Sequence, residues 1–193
     1  MNKLEALEQR VHELYDAKDT HRAEWADWMA ANHVFVVADK ATSLAKRFGA
    51  DPKLSRAAAL LHDIADARMG RFDENHEQES LHLARELLQQ ADFDEDEISV
   101  IVDDAIRLHS CRNGAPHSLE GKVLATADAL AHLETDFYFY GVWSQGKSGA
   151  SFQDAKQWVL PKLERDYRVK IQFEEVREEL ASTYRLLKEL LDR

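Results

Sequence analysis

The sequence is poor in three residue types that shape small folds, with one cysteine, three prolines and seven glycines among 193 residues. The single cysteine, Cys111, excludes an intrachain disulfide framework and a cysteine-rich zinc site. Scarce proline and glycine favour long helices over a turn-rich β fold. No apolar run approaches the roughly 18 residues that a membrane-spanning helix needs. These absences predict a helical globular domain without a transmembrane segment.

Basic residues are also in the minority, because 25 Lys and Arg stand against 36 Asp and Glu, a formal net charge of −11. Such a chain is a poor partner for DNA or RNA, since binding an extended nucleic-acid backbone requires a basic surface. A small phosphorylated ligand needs only a few local cations and stays open as a partner. The N-terminal residues enter an amphipathic pattern directly, without the apolar core of a signal peptide, so we expect a cytoplasmic protein.

Apolar residues recur at helical spacing along nearly the whole chain. A first helix is predicted over residues 4–18, packed on the domain or on a second copy in a homodimer. Further helices are predicted over residues 22–48, 52–65, 76–90, from the acidic run at 92–96 to 109, and from 118 past 131. Another is predicted to begin at the capping pair Ser151 and Asp154 and to be interrupted or kinked near 161, and a final helix has its apolar residues between 173 and 190. Since no segment has the pattern of a strand, the predicted fold class is all-α, in a single domain over residues 1–193.

The most apolar predicted helix carries two adjacent ionisable residues, His62 and Asp63, directly after the run at 57–61. Burial of an unpaired carboxylate is costly, so such groups are normally hydrogen-bonded, charge-paired or bound to a metal. We therefore hypothesise that the His-Asp pair binds a metal ion and that other helices bring the remaining ligands.

Four further ionisable residues fall at core-facing or helix-end positions of other predicted helices: His33, His76, His109 and Asp128. Any one buried histidine is as often a satisfied core residue as a ligand. Because ionisable residues recur on the apolar faces of successive helices, a shared metal centre is favoured. Imidazole and carboxylate ligands together suit Mn, Fe, Co, Ni, Zn or Mg. Periodicity by itself leaves a metal centre and a set of structural histidines equally open.

The ordered set His33, His62-Asp63 and Asp128 resembles the H…HD…D signature of the HD-domain superfamily of metal-dependent phosphohydrolases. The contexts are LLHDIA at 60–65 and KVLATADAL at 122–130, and the likeness covers about residues 32–131. The resemblance implies an HD-domain-like helical bundle with extra N- and C-terminal helices, a core at 22–135 and a C-terminal helical extension at 136–193. It also implies a divalent metal bound by His33, His62, Asp63 and Asp128.

His76 and His109 resemble the additional histidines of binuclear members of this superfamily. In those members Asp63 would bridge two metals, while the two histidines complete the second site. Some mononuclear members also keep histidines at similar places, where they contact substrate phosphate. One or two ions of Fe, Mn, Co, Ni, Zn or Mg per chain are therefore expected.

The resemblance implies hydrolysis of a phosphate ester or anhydride of a small molecule, for instance a nucleotide, by metal-activated water. Asp63 would be a ligand, and Asp66, one turn further on, would orient water or transfer a proton unless it is an ordinary surface carboxylate. The candidate phosphate-binding residues are Arg71, Arg112, His117 and Lys122. Arg112 is favoured among them because its loop follows His109.

Two other function classes stay open. HD-type proteins with paired irons that activate dioxygen make a di-iron oxygenase the alternative enzyme. A non-catalytic metal- or ligand-binding module, with the aromatic segment at 137–143 as its partner surface, is the third class. The octapeptide at 141–148 satisfies the P-loop pattern GxxxxGK[ST], but a helix rather than a strand is predicted before it, so we interpret it as a chance match.

Overall fold

In the computed structural model, which describes residues 2–192, the described residues form helices and no strand, so the predicted all-α fold is confirmed. The α-helices are α1 (Lys3–Asp16), α2 (Ala26–Met29), α3 (Phe35–Phe48), α4 (Pro52–Leu61), α5 (His76–Gln90), α6 (Glu95–Ile98), α7 (Leu119–Glu134), α8 (Phe137–Lys147), α9 (Phe152–Arg165), α10 (Glu174–Glu179) and α11 (Ala181–Asp192). A 3₁₀ turn spans Ile64–Ala67, and π-helical segments span Ala30–Val34, Ser99–Ile106 and Asp166–Lys170.

Helices α3, α4 and α7 pack against one another and form the centre of the domain. Their close approach follows from small side chains, since Ala57, Ala58 and Ala59 of α4 are fully buried. The helix predicted to continue to residue 65 ends at Leu61, because Asp63 leaves helical geometry with φ −129° and the 3₁₀ turn follows. The His-Asp pair therefore lies at the end of the central helix.

Helix ends follow the capping signals of the sequence. Gly49 adopts the left-handed conformation (φ 81°) that ends α3, and Asp51 caps α4 with Pro52 at its first position. Ser151 and Asp154 form the predicted capping box of α9. The predicted helix at 22–48 begins at Ala26, and the predicted final helix is divided into α10 and α11. The predicted interruption near residue 161 is wrong, because α9 continues through Pro161 to Arg165.

Helix α1 packs on the domain itself. Leu7, Val11 and Tyr15 are buried, and the helix contacts α4 and α5. Arg56 of α4 reinforces this contact through an ion pair with Glu8 at 2.6 Å. In the part of the chain that the structure describes, no helix is both long and apolar enough to cross a membrane.

The C-terminal third folds back on the central helices. The π segment Asp166–Lys170 contacts both α7 and α9, and α9 also contacts α8 and α11. The P-loop-like octapeptide lies mainly in α8 and follows no strand, which agrees with a chance match. Gly141 of α8 is buried, and a Cβ atom there would lie 2.7 Å from the ring of Trp158.

This close approach predicts that Gly141→Ala destabilises the protein. Overpacking against Trp158 outweighs the better helix propensity of alanine, with an expected net loss of about 1 kcal/mol in the free energy of unfolding. Urea denaturation measures this loss. Gly146→Ala is the matched control in the same helix, because its added Cβ would meet no atom within 4 Å. A stabilisation of the same size in both variants would contradict the tight α8–α9 contact.

Candidate metal centre

Three buried side chains from three different elements converge at the centre of the domain. His33 lies in the π segment Ala30–Val34, His62 directly follows α4, and Asp128 lies in α7. One ligand atom from each lies within 4.8 Å of the others. The two imidazole Nε2 atoms are 3.2 Å apart, and Asp128 Oδ1 lies 3.3 Å from His33 Nε2 and 4.0 Å from His62 Nε2. Among the residues that the structure describes, these three form a group with metal-binding geometry, which we call the metal cluster.

The backbone fixes the orientation of His62. Its Nδ1 lies 2.7 Å from the carbonyl oxygen of Ala59 and donates to it, which leaves the Nε2 lone pair directed at the cluster. Metal-binding histidines commonly use their second ring nitrogen in this way. Burial lowers the pKa of His33 and outweighs the opposite effect of Asp128, so His33 is also held in its neutral, ligand-competent form.

Asp128 Oδ1 shows that the residues fit a divalent ion. This buried atom has no hydrogen-bond partner among the described residues, although three imidazole nitrogens lie 3.1, 3.3 and 4.0 Å away. A tetrahedral ion with metal–nitrogen distances of about 2.1 Å separates neighbouring ligands by roughly 3.4 Å. An ion would therefore satisfy the carboxylate oxygen that the protein leaves without a partner.

Sequence reasoning missed His132, which contributes the nearest of these three nitrogens. It follows Asp128 by one helical turn, with its Nε2 3.1 Å from Asp128 Oδ1 and its ring stacked parallel to His33 at 4.9 Å. Its Nδ1 lies 2.9 Å from Asp166 Oδ2. The i,i+4 spacing from Asp128 was the available signal, whereas the contact with Asp166 depends on the tertiary fold.

Asp63 and Asp66 are held by one arginine beside the metal cluster. Arg71 donates to Asp63 Oδ2 at 2.5 Å and to Asp66 Oδ2 at 3.0 Å, and Asp66 Oδ1 also lies 2.9 Å from His76 Nε2. Burial acts to raise the pKa of Asp63, but Arg71 and His62 outweigh it and hold this pKa well below its usual value. Both oxygens of Asp66 are thus occupied, so its geometry is that of a positioning residue, and its predicted proton transfer stays a prediction.

The structure does not bring His76 and His109 into the metal cluster. His109 is half-buried, its Nδ1 lies 2.6 Å from the carbonyl oxygen of Ile106, and its ring centre is 5.3 Å from that of His62. Oδ2 of Asp63 is held by Arg71, and Nε2 of His76 is held by Asp66, so these two atoms are already engaged within the protein. The binuclear arrangement stays a prediction.

The C-terminal extension adds a buried charge network to the cluster. Lys170 donates to Asp128 Oδ2, and Asp166 accepts from the hydroxyl of Tyr138 at 2.9 Å and pairs with Lys162 at 3.3 Å. Burial acts to raise the pKa of Asp166, but Lys162 and His132 hold it far below its usual value. Burial lowers the pKa of Lys162 to about 8. Lys170 thus meets Asp128 at Oδ2, whereas His33 and His62 face its other oxygen, Oδ1.

A cavity of about 550 Å³ adjoins the cluster, with His62, Asp63, Asp128 and His132 among its lining residues. The lining cations are Arg71, Arg112, Lys162, Arg165 and Lys170. Of the four predicted phosphate-binding residues, the structure thus places Arg71 and Arg112 at the cavity. His117 and Lys122 do not line it, and the exposed His117 instead contacts Asp104 at 2.9 Å. Their predicted role is not supported by this placement.

Comparison with known proteins gives two findings. The family described as HD domain matches residues 30–133 of the chain. A crystal structure of a protein from an uncultured Thermotogales bacterium, described as a predicted HD superfamily hydrolase, is similar with a TM-score of 0.60 and 23% sequence identity. The similarity covers 100% of this chain and 91% of the other, and it shows a shared fold. The search among curated proteins found no match.

The cluster predicts that Asp128→Asn weakens metal binding at least about tenfold, because the variant loses the anionic ligand. Isothermal titration with Mn²⁺ or Zn²⁺ measures the affinity, and elemental analysis of the native protein gives the stoichiometry. Asp103→Asn, on an exposed residue away from the cavity, is the control. Unchanged affinity in Asp128→Asn would contradict the proposed ligand, and one equivalent of metal per native chain would contradict the binuclear arrangement.

The buried His132 predicts acid sensitivity of the metal-free protein. Burial lowers the pKa of His132 from 6.5 to about 3, so between these values the unfolded chain binds a proton that the folded chain does not. This contribution to stability is present above about pH 6.5 and is lost as the pH falls. From pH 7 to pH 5 we expect His132 to account for about 2 kcal/mol of lost unfolding free energy.

Urea denaturation in chelator at both pH values measures this loss. His132→Gln should show a smaller decrease between pH 7 and pH 5, whereas His82→Gln, on an exposed helix face, should behave like the wild type. An identical decrease in His132→Gln and the wild type would show that another group is responsible.

Proposed function

We propose that this chain, which belongs to the HD domain family, is a metal-dependent phosphohydrolase. Its proposed substrate is a phosphate ester or anhydride of a small molecule, and a nucleotide is the favoured class. The observation that carries the proposal is the position of the metal cluster at a cavity lined by five Lys and Arg side chains. The description of the similar Thermotogales protein as a hydrolase agrees with this assignment.

The cluster accounts for the metal dependence. A divalent ion held by His33, His62 and Asp128 would polarise a phosphoryl oxygen and lower the pKa of a bound water molecule. Because Asp63 Oδ2 lies 3.5 Å from His62 Nε2, Asp63 is within reach of the same centre and is kept ionised by Arg71. Asp63 can therefore complete the ligand set or accept a proton beside it.

His109 offers a neutral hydrogen-bonding group at the cavity. Burial lowers its pKa to about 4, and its Nδ1 faces a backbone carbonyl, so Nε2 is an acceptor at neutral pH. An acceptor at this position can orient a water molecule or a protonated phosphate oxygen. Arg112, which is exposed at the same cavity, provides a bidentate donor for phosphate.

Aromatic side chains at the same cavity support a nucleotide as substrate. Trp25, Phe72, Phe137 and Trp158 line it together with the cations. Phe72 is 82% exposed, and its ring centre lies 6.1 Å from that of Trp25. The exposed ring of Phe72, next to phosphate-binding groups, suits the stacking of a nucleobase.

The activity test uses metal-loaded protein with a panel of nucleotides and other phosphate compounds, and it measures released phosphate and pyrophosphate. Asp63→Asn should lower turnover at least about 100-fold, because the site loses a carboxylate that binds the ion or accepts a proton. Asp96→Asn, on an exposed residue of α6, should retain full activity. Full activity of Asp63→Asn would contradict the proposed role. Oxygen consumption without phosphate release would instead favour the oxygenase.

A further inference from the structure

One wall of the cavity comes from residues outside the region that the HD domain family matches. The lining residues from α9 and the following π segment are Gln157, Trp158, Pro161, Lys162, Arg165 and Lys170. Trp158, Lys162 and Arg165 share one helix face, since residues three and four apart are neighbours on a helix. This wall carries three cations and no carboxylate among its lining residues. The other carboxylates of the lining, outside the metal centre, are Asp73, Glu74 and Glu77, which lie before and at the start of α5.

Arg165 has no carboxylate partner among the described residues, although acids outnumber bases in this chain. Its Nε is buried and makes no hydrogen bond. Other arginines are paired, such as Arg47 with Glu179 at 2.7 Å and Arg168 with Glu164 at 2.6 Å. Arg68, Arg112 and Arg185 also lack an ion pair with a described carboxylate, but they are exposed to water, whereas the Nε of Arg165 is buried. A buried donor without an acceptor is destabilising, so a ligand anion in the cavity would provide what the protein does not.

The cations of this wall differ in how directly they contact the metal cluster. Lys170 contacts Asp128 of the cluster directly. Lys162 contacts Asp166 at 3.3 Å and lies 3.4 Å from Nδ1 of His132, which in turn contacts Asp128. Arg165 follows Lys162 by one turn on the same face and is free of such contacts. A substrate with one phosphate at the cluster would need a second anionic group to engage Lys162 and Arg165.

We propose that α9 of the C-terminal extension forms a second anion subsite, in which Arg165 and Lys162 bind a phosphate other than the one at the metal cluster. This inference rests on the proposed function and narrows its substrate class to compounds with two or more linked phosphates. Arg165 and Lys162 are then specificity-determining residues. The metal cluster acts on one phosphate, and the wall selects for the presence of the next.

The test compares two non-hydrolysable probes on metal-loaded protein by isothermal titration: methylenediphosphonate, with two linked phosphonates, and methylphosphonate, with one. We expect the wild type to bind methylenediphosphonate at least about tenfold more tightly, as an added charge-assisted contact predicts. Arg165→Gln should lose this preference while its affinity for methylphosphonate is unchanged. Lys162→Gln is a second variant that should also lose the preference, and Arg165→Lys should retain part of it.

Arg185→Gln, on an exposed residue of α11 that does not line the cavity, is the matched control and should bind both probes like the wild type. Thermal unfolding verifies the fold of each variant, and elemental analysis after titration verifies that the metal stays bound. Equal affinity of the wild type for both probes, or an equal loss for both probes in Arg165→Gln and Lys162→Gln, would overturn the subsite.

The two proposals fail separately in these experiments. A preference for methylenediphosphonate that depends on Arg165, with no hydrolysis of any phosphate compound, would leave the subsite standing and refute the phosphohydrolase. Hydrolysis without that preference would refute the subsite and leave the phosphohydrolase standing.

Discussion

The burial of carboxylates in an apolar helical interior is the constraint on which the structure depends. Asp66 and Asp166 are fully buried, and Asp63 and Asp128 are nearly so. Transfer of such a group from water costs on the order of several kcal/mol even after relaxation, unless cations and hydrogen bonds compensate it. Arg71 compensates Asp63 and Asp66. Two lysines of the C-terminal extension compensate the other two, Lys170 for Asp128 and Lys162 for Asp166. Asp128 Oδ1 and Asp166 Oδ1 are the buried carboxylate oxygens of the described residues that lack a hydrogen bond. Of these two atoms, Asp128 Oδ1 faces the imidazoles of the metal cluster, where an ion fits.

The same constraint explains how much of the site was predictable. His33, His62 and Asp128 lie on apolar stripes whose period is set locally, so the sequence shows that each must be buried and must find a partner. Helix ends marked by Gly49, Asp51 and Ser151 were predictable for a similar reason, because a cap depends on a few neighbouring residues. The end of α4 at Leu61 was not, because the run of alanine and leucine contains no stop signal and the break serves the tertiary arrangement of Asp63.

The missed residues share one property, which is that their partners are distant in sequence. His132 meets Asp166 across 34 positions, and Lys170 meets Asp128 across 42. Periodicity marks Lys170 as an ordinary solvated lysine, yet it is 2% exposed, because the π segment Asp166–Lys170 turns it toward α7. A π-helical turn shifts the register of the side chains that follow it, and neither its occurrence nor its direction is written in local propensity. His33 lies in another π segment, so two of the elements that shape this site have the geometry that sequence patterns predict least well.

The HD-matched region and the C-terminal extension contribute different residues to the site. The region matched by the HD domain family supplies the three residues of the metal cluster, whereas the extension supplies Lys162, Arg165 and Lys170 to the cavity. Lys170 has two effects, since it balances the charge of Asp128 and also occupies one of its oxygens, which limits how that carboxylate can bind an ion. The extension therefore tunes the centre as well as lining the cavity beside it. The three residues of the metal cluster and the lysine that contacts Asp128 therefore come from different segments of the chain. A substitution on the α9 wall would alter the charge that faces the substrate without moving the helices that hold His33, His62 and Asp128, so the second segment can change while the chemistry of the centre is kept.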